Sequence, residues 1–254
     1  MAGRVQDKVI LITGAASGIG LATARLCAEQ GAKIVMTDRN EAGLRDAAAS
    51  VKGATLVMGQ DVTLEDRWVE VIAETVSKFG RLDGLVNNAG VGVHKPVEHT
   101  TLEEFQFVQR VNVEGVFLGC KHAIGAMKQT GGGSIVNLSS VAGLIGGSNM
   151  AAYCASKGAV RIMSKSIAVE CAERGLGIRV NSVHPSFLET AMVGALIGGS
   201  KDPDKTRRQL ERTAALGRMG KAEDAANAIL FLLSDESGFM TGSEVVVDGG
   251  TTAR

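Results

Sequence analysis

Along the chain, short aliphatic and β-branched runs alternate with longer stretches whose apolar positions recur every three or four residues. Lys8 to Thr13 (KVILIT), Ala32 to Asp38, Thr55 to Gln60, Leu82 to Asn87, Ser134 to Leu138, Ile178 to Val183 and Glu244 to Val247 read as seven strands. Gly20 to Gly31, Leu64 to Phe79, Leu102 to Gln129, Ala151 to Glu173 and Ala222 to Ser234 read as helices, with Trp68, Val71, Ile72 and Val76 at helical spacing in the second. Strands lacking polar alternation are buried on both faces, as in a parallel sheet between two helix layers. The pattern predicts an α/β protein with a doubly wound sheet of about seven parallel strands. Phe187 to Thr213 is the least regular stretch, mixing Gly198, Gly199 and Pro203 with Met192, Val193, Leu196 and Ile197. Its place after the sixth strand suggests a partly ordered lid.

Composition narrows the possibilities. Lys plus Arg and Asp plus Glu each number 27, and no basic patch suits nucleic acid or an anionic membrane. The densest basic cluster, Lys201, Lys205, Arg207 and Arg208, is interrupted by Asp202, Asp204 and Glu211 and reads as a solvated helix face. Cys27, Cys120, Cys154 and Cys171 form no CxxC pair and no zinc spacing, so they read as small hydrophobes and no metal is expected. Met1 to Lys8 holds no signal-peptide apolar region, and no apolar run approaches a bilayer span; the expectation is a cytoplasmic protein.

Residues 13 to 20, TGAASGIG, follow a strand and open a helix. Gly14 permits a tight turn, Gly18 a close backbone approach and Gly20 tight helix packing, while free amides at the helix start suit a pyrophosphate. Asp38 ends the second strand, eighteen residues after Gly20. A carboxylate there accepts hydrogen bonds from a ribose and repels a 2′-phosphate, which favours NAD. Asp38 could instead cap the next helix, and Arg39 beside it leaves room for NADP.

The spacing Thr13-Gly14-x-x-x-Gly18-Ile19-Gly20 resembles that of the short-chain dehydrogenases/reductases. Further matches follow in order: Asn87-Asn88-Ala89-Gly90 after the fourth strand, Asn112, Ser140 at the end of the fifth, Tyr153 and Lys157 as YxxxK, and Asp248-Gly249-Gly250 near the end. The resemblance spans essentially the whole chain. It implies a single Rossmann-type domain over 1–254, with the cofactor half roughly 1–130 and the catalytic and substrate half roughly 131–254, the lid lying near 187–213.

Tyr153 and Lys157 lie four apart on a predicted helix and share a face. A lysine cation near a phenol is expected to lower its pKa and fit it for general acid/base work. Ser139 and Ser140 both stand at the strand end, and the family's spacing of thirteen residues before the tyrosine selects Ser140, whose hydroxyl is expected to hold the substrate oxygen. By resemblance, Asn112 holds a water on a proton path from Lys157, and Lys157 reaches the nicotinamide ribose. Ser17, Gly18 and Ile19 belong to the phosphate turn, Asp61 and Val62 contact adenine, and Asn88 and Gly90 flank its ribose. Thr190 matches the threonine on the carboxamide, and transfer of the pro-S hydride is expected. Pro185-Ser186 stands where the family commonly has Pro-Gly; the serine can still offer its amide. His94 and His184 read as surface or loop residues near the site.

The expected pocket draws on 91–94, 141–150 and 186–196, mainly apolar, with Val141, Met150, Phe187 and Met192 beside Ser140 and Tyr153. No arginine or lysine lies among its central residues, with Lys95 only at the margin, so a carboxylate or phosphate substrate is disfavoured. The resemblance points to bacterial cyclic-alcohol, terpene-alcohol and hydroxysteroid dehydrogenases, hence a hydrophobic, cyclic secondary alcohol or ketone. A ketoacyl-thioester reductase shares the same tetrad; a non-catalytic dinucleotide sensor would not need Ser140, Tyr153 and Lys157 together. The family also implies a homotetramer, with the long helices at one interface and the C-terminal strand at the other.

Overall fold

The computed structural model describes residues 3–53 and 55–253. In chain order the elements are β1 (Val9–Thr13), α1 (Gly18–Glu29), β2 (Lys33–Asp38), α2 (Glu41–Ala48), β3 (Thr55–Gly59), α3 (Glu65–Phe79), β4 (Gly84–Asn87), α4 (Leu102–Gln109), α5 (Gly115–Met127), β5 (Gly133–Leu138), α6 (Ala151–Glu173), β6 (Ile178–Pro185), α7 (Ala191–Gly198), α8 (Pro203–Thr213), α9 (Ala222–Leu233) and β7 (Glu244–Val247). The seven strands form one parallel sheet in the order β3-β2-β1-β4-β5-β6-β7. The order reverses between β1 and β4, and ligands of such sheets bind at the carboxyl ends beside that switch point.

Alternate residues of β1 feed two cores. Ile10 and Ile12 pack with Ala24 and Cys27 of α1, Leu44 of α2 and Ile229 of α9. Val9 and Leu11 face Trp68 and Val71 of α3, Val116 of α5 and Val160 of α6. Burial on both faces is why these strands are continuous apolar runs. Burial also pushes the Cys27 and Cys120 thiols up to about 12, in keeping with inert packing residues. Among the described residues no helix is long and apolar enough to cross a membrane.

Three segments depart from the sequence pattern. The helix after β2, α2, carried no range in the sequence pattern; Asn40, not Asp38, caps it by accepting from Gly43 N at 3.1 Å, and it buries Leu44. The helix expected over Leu102 to Gln129 is divided by a π-turn at Arg110–Glu114. The stretch expected to form a partly ordered lid is helical: Gly198 and Gly199 end α7, Pro203 starts α8, and Asp202 caps it by accepting from Lys205 N at 2.9 Å. The glycines and proline there punctuate helices, since proline suits a first helical position.

Candidate active site

The glycine-rich turn joins β1 to α1 at the switch point. Gly14 has φ +63°, and a Cβ there would lie 2.9 Å from Ala89 Cα. At Gly20 a Cβ would lie 2.4 Å from Gly14 O and 2.6 Å from Asn88 Nδ2, so the helix start and turn touch without room for a methyl. A Cβ on Gly18, at φ +54°, would lie 3.4 Å from the Thr190 methyl, which places Thr190 over the turn. Ser17 makes no side-chain capping bond and the first turn of α1 holds no acidic residue. The positive end of α1 is thus left for an anion, and the cradle fits a dinucleotide pyrophosphate.

Thr13, which carried no role in the sequence reading, clips this turn to β4. Its hydroxyl accepts the amides of Asn88 and Ala89, both at 3.0 Å. Asn88 Nδ2 returns bonds to Thr13 O at 2.9 Å and Gly14 O at 3.0 Å, so this side chain is committed to shaping the turn. The motif itself held the signal, because Thr13 is its first residue.

Asp38 points back at the turn. One carboxylate oxygen accepts from Ala16 N at 3.1 Å and the other from Asn40 N at 2.9 Å. The carboxylate therefore has two jobs: it holds the entry to α2, and it puts negative charge beside the phosphate cradle. Arg39 is exposed. Asp61 accepts from Thr63 N at 2.9 Å and Thr63 Oγ1 at 2.7 Å, and the buried Val62 follows it.

The candidate reacting groups converge from β5, α6 and the π-turn. Asn112 is fully buried; its Oδ1 accepts from Val91 N at 2.9 Å, and its Nδ2 donates to Val91 O at 2.9 Å and Ser156 Oγ at 3.0 Å. Its side chain thus ties the loop after β4 to the start of α6. A Cβ on Gly90 would lie 3.3 Å from Asn112 Oδ1 and 3.6 Å from Lys157 Nζ, so that glycine makes room for both. Ser139 donates to Lys157 O at 2.8 Å, which leaves Ser140 as the serine turned to the site. The Ser140 hydroxyl donates to Pro185 O at 3.3 Å, accepts from Ala142 N at 3.1 Å and stands beside the Tyr153 phenol, where it favours the charged form.

The expected lowering of the Tyr153 pKa is not what the structure holds. Burial pushes the phenol above its ordinary value, and the Ser140 hydrogen bond offsets this in part. Burial also pulls Lys157 down to about 8. Lys157 Nζ lies 5.7 Å from the Tyr153 ring centroid and donates to Leu138 O at 2.7 Å. Desolvation, which a sequence pattern does not report, dominates both groups.

Ser186 also differs from expectation. Its amide donates to Val247 O at 3.2 Å, extending the β6–β7 pairing, and its hydroxyl lies 3.1 Å from Thr251 Oγ1. Both groups turn to the C-terminal segment, which is how serine is accommodated. Ser186 and Phe187 line a cavity of about 360 Å³ with Leu210, Ala214, Leu216 and Val246, between α8 and β7. A larger cleft of about 600 Å³ opens beside the start of α6, between Pro96–Glu98 and the loop holding Gly146, Gly147 and Asn149, with Ala151 and Cys154 at its base. The sequence reading had not reached Pro96 to Glu98 or Cys154. Val141 is buried, Met150 half-buried and Met192 exposed. His184, expected at the surface or in a loop, is fully buried within β6. No group of three metal-ligating side chains occurs among the described residues.

A doubly wound parallel sheet, a glycine cradle at its switch point and a Ser-Tyr-Lys cluster at its carboxyl edge define a nucleotide-dependent oxidoreductase. The chain belongs to the short-chain dehydrogenase/reductase family, whose members bind a nicotinamide dinucleotide. A family model described as "Enoyl-(Acyl carrier protein) reductase" matches residues 14–252. The chain is 42% identical to cyclopentanol dehydrogenase of Comamonas sp. (strain NCIMB 9872), covering 99% of this chain and 100% of that one. It is also 42% identical to the NADP-dependent (R)-specific alcohol dehydrogenase of Lentilactobacillus kefiri, covering 100% of both. A solved structure from Burkholderia xenovorans, described as a short-chain dehydrogenase/reductase, superposes with a TM-score of 0.96 at 36% identity, covering 100% of this chain and 99% of that one. The protein is an alcohol/ketone oxidoreductase of this family.

Proposed function

We propose that the protein interconverts a hydrophobic, cyclic secondary alcohol and its ketone with NAD, using Tyr153 as general acid/base. The observation that carries this is the meeting of Ser140, Tyr153 and Lys157 at the sheet edge whose glycine cradle faces Asp38. When bound, the nicotinamide supplies the hydride-carrying carbon. Ser140 orients the substrate oxygen. Tyr153 takes the alcohol proton in oxidation or gives one in reduction, and Lys157 holds positive charge beside it. Asn112 Nδ2 spends both hydrogens within the fold and Oδ1 already accepts from Val91 N, so its main-chain carbonyl in the π-turn is the group assigned to a relay water.

Residues 1–130 would hold the dinucleotide, through the 14–20 turn, Asp38, Asp61, Val62 and the wall at Gly90. Residues 131–254 would supply the substrate side, with Val141, Met150 and Met192 as apolar wall and Thr190 closing over the nicotinamide. The relatives support alcohol chemistry but differ over the nucleotide, since the L. kefiri enzyme is NADP-dependent by name. Asp38 beside the cradle favours NAD, because a 2′-phosphate would meet a carboxylate. A thioester on a carrier protein would need a basic rim, and the rim cations are engaged: Lys95 pairs with Glu104 and Arg207 with Glu189.

Assembly as a homotetramer follows the family and is supported by Phe117 on α5 and Ile162 and Val169 on α6, which are each more than half exposed. A cytoplasmic setting is part of the same reading. The test is a screen of secondary alcohols, from cyclopentanol to terpene alcohols and steroids, with NAD and NADP in parallel. NAD-linked turnover of cyclic alcohols is expected. Turnover of ketoacyl thioesters with NADPH alone would overturn the proposal.

A further inference from the structure

His184 lies directly behind the serine of the site. It is fully buried in β6, pairs with Val246 of β7 in the strand register, and has a partner at each ring nitrogen. Nδ1 is 3.1 Å from the main-chain oxygen of Ser140, and Nε2 is 2.8 Å from Ser182 Oγ. A carbonyl can accept but not donate, so Nδ1 carries the hydrogen and Nε2 accepts from the Ser182 hydroxyl. The Ser182 hydroxyl also lies 3.4 Å from Ser243 O, but its contact with Nε2 is the shorter, which assigns its hydrogen to the ring and the ring to one neutral tautomer. Burial pulls its pKa down, which agrees with the neutral form.

Ser140 is held to β6 on every side. The preceding amide, Ser139 N, donates to Val183 O at 2.9 Å, and the Ser140 hydroxyl reaches Pro185 O at 3.3 Å. Between those two contacts His184 grips the Ser140 carbonyl. The strand pairing stops there, because Ser140 turns into a short 3-10 turn at Val141–Gly143. The Ser140 carbonyl accepts from Gly143 N at 2.9 Å within that turn and from the imidazole at 3.1 Å, so His184 is what ties the turn to the sheet. Loss of that tie would free the turn, whose Ala142 amide also holds the Ser140 hydroxyl, to shift relative to Tyr153.

We propose that His184 is a positioning residue that sets the direction of the Ser140 hydroxyl by hydrogen-bonding the Ser140 carbonyl through Nδ1–H. This rests on the reading that Ser140 holds the substrate oxygen. The amide nitrogen of asparagine reaches the place of Nδ1, whereas that of glutamine reaches the place of Nε2. His184→Asn keeps the donor to Ser140; His184→Gln loses it while burying a similar amide.

Cyclopentanol oxidation is the assay, or whichever alcohol of the panel above turns over faster. His184→Gln is expected to lower kcat by about 10- to 100-fold with the nucleotide Kd unchanged, and His184→Asn to retain activity within about 3-fold. In a Ser140→Ala background, His184→Gln should cost little more, because the hydroxyl it aims is gone. Equal losses in the two His184 variants, or a full further loss in the Ser140→Ala background, would reduce His184 to packing and overturn the proposal. Wild-type turnover from Ser140→Ala would instead sink the serine's assigned role, a distinguishable failure. Where His184→Gln does not fold, ¹⁵N NMR of the intact protein reads the tautomer directly. A neutral ring protonated at Nδ1 supports the proposal, and protonation at Nε2 contradicts it.

Discussion

The Lys157 ammonium stands 5.7 Å from the centroid of the Tyr153 ring, and its 2.7 Å hydrogen bond goes to the Leu138 carbonyl. On the proposed reading it would act on the phenol as a nearby charge. Burial holds Tyr153 above its ordinary pKa and Lys157 down at about 8. At pH 7 the resting pair is thus neutral phenol with ammonium, ready for ketone reduction. Alcohol oxidation needs the phenolate, whose fraction grows with pH. The expected outcome is an oxidation kcat/KM that climbs from pH 7 towards pH 10 while reduction falls, the two groups titrating as a coupled pair. Lys157→Met removes the cation, makes the phenolate costlier and moves the oxidation limb to higher pH, with a loss at pH 7 on the order of 100-fold or more. Steady-state pH profiles in both directions check this; an unmoved limb would refute the charge role.

The same lysine should cost stability. Its folded pKa is depressed from 10.5 to about 8, so between those values the unfolded chain binds more protons and stability rises with pH. Below pH 8 the full penalty stands, roughly 3 kcal/mol. Met fills similar volume without charge but leaves the Leu138 carbonyl unpaired, returning about 1 kcal/mol or more of the gain. Lys157→Met is expected to melt a few degrees higher than the parent at pH 7, by about 2–4 °C per kcal/mol. The gap should close by pH 10. Differential scanning calorimetry across that range decides it, and a gap that widens with pH would contradict the sign.

A methyl at Gly20 would stand 2.4 Å from Gly14 O and 2.6 Å from Asn88 Nδ2. Neither the turn nor the amide, which also bonds Thr13 O, can withdraw without opening the cradle. Gly20→Ala is expected to destabilise by about 1–3 kcal/mol and to weaken nucleotide binding. Gly125 in α5 meets nothing within 4 Å, so Gly125→Ala should stabilise by about 0.5–1 kcal/mol. Paired denaturant melts and nucleotide titrations compare the two, and a Gly20→Ala that binds normally would discount the close approach.

The sheet was legible because burial on both faces writes strands as unbroken apolar runs, as in β1 with Ile10 and Ile12 on one core and Val9 and Leu11 on the other. Helix α2 was not, since an eight-residue helix that buries Leu44 alone leaves almost no periodic signal. The π-turn was hidden for a related reason: the residue that turns Asn112 inward sits in an apolar pattern spanning Leu102 to Gln129. Spacing singled out Asn112, Ser140, Tyr153 and Lys157, which the fold brings to one edge of the sheet. The upward shift of Tyr153 and the burial of His184 arise from neighbours on β5, β6 and β7 and are properties of packing.

On the proposed reading Asp38 carries the choice of nucleotide, and its geometry makes that testable without dismantling the turn. The carboxylate accepts from Ala16 N and Asn40 N, so Asp38→Ala would remove both ties and confuse specificity with stability. Asp38→Asn keeps the side chain's size and one acceptor while removing the charge that repels a 2′-phosphate. The ratio of kcat/KM for NADP over NAD is expected to rise by at least about tenfold, close to 1.4 kcal/mol. Arg39 is exposed next to it, and once the carboxylate is neutral its guanidinium is the nearest cation in sequence for a 2′-phosphate. Arg39→Ala in the Asp38→Asn background should therefore reverse much of the gain, whereas Arg39→Ala alone should change little. Initial rates with both nucleotides across the four proteins separate the contributions. A ratio that stays fixed in Asp38→Asn would mean that the carboxylate faces the turn and Asn40 only, and the preference for NAD would then have to come from elsewhere in the cradle.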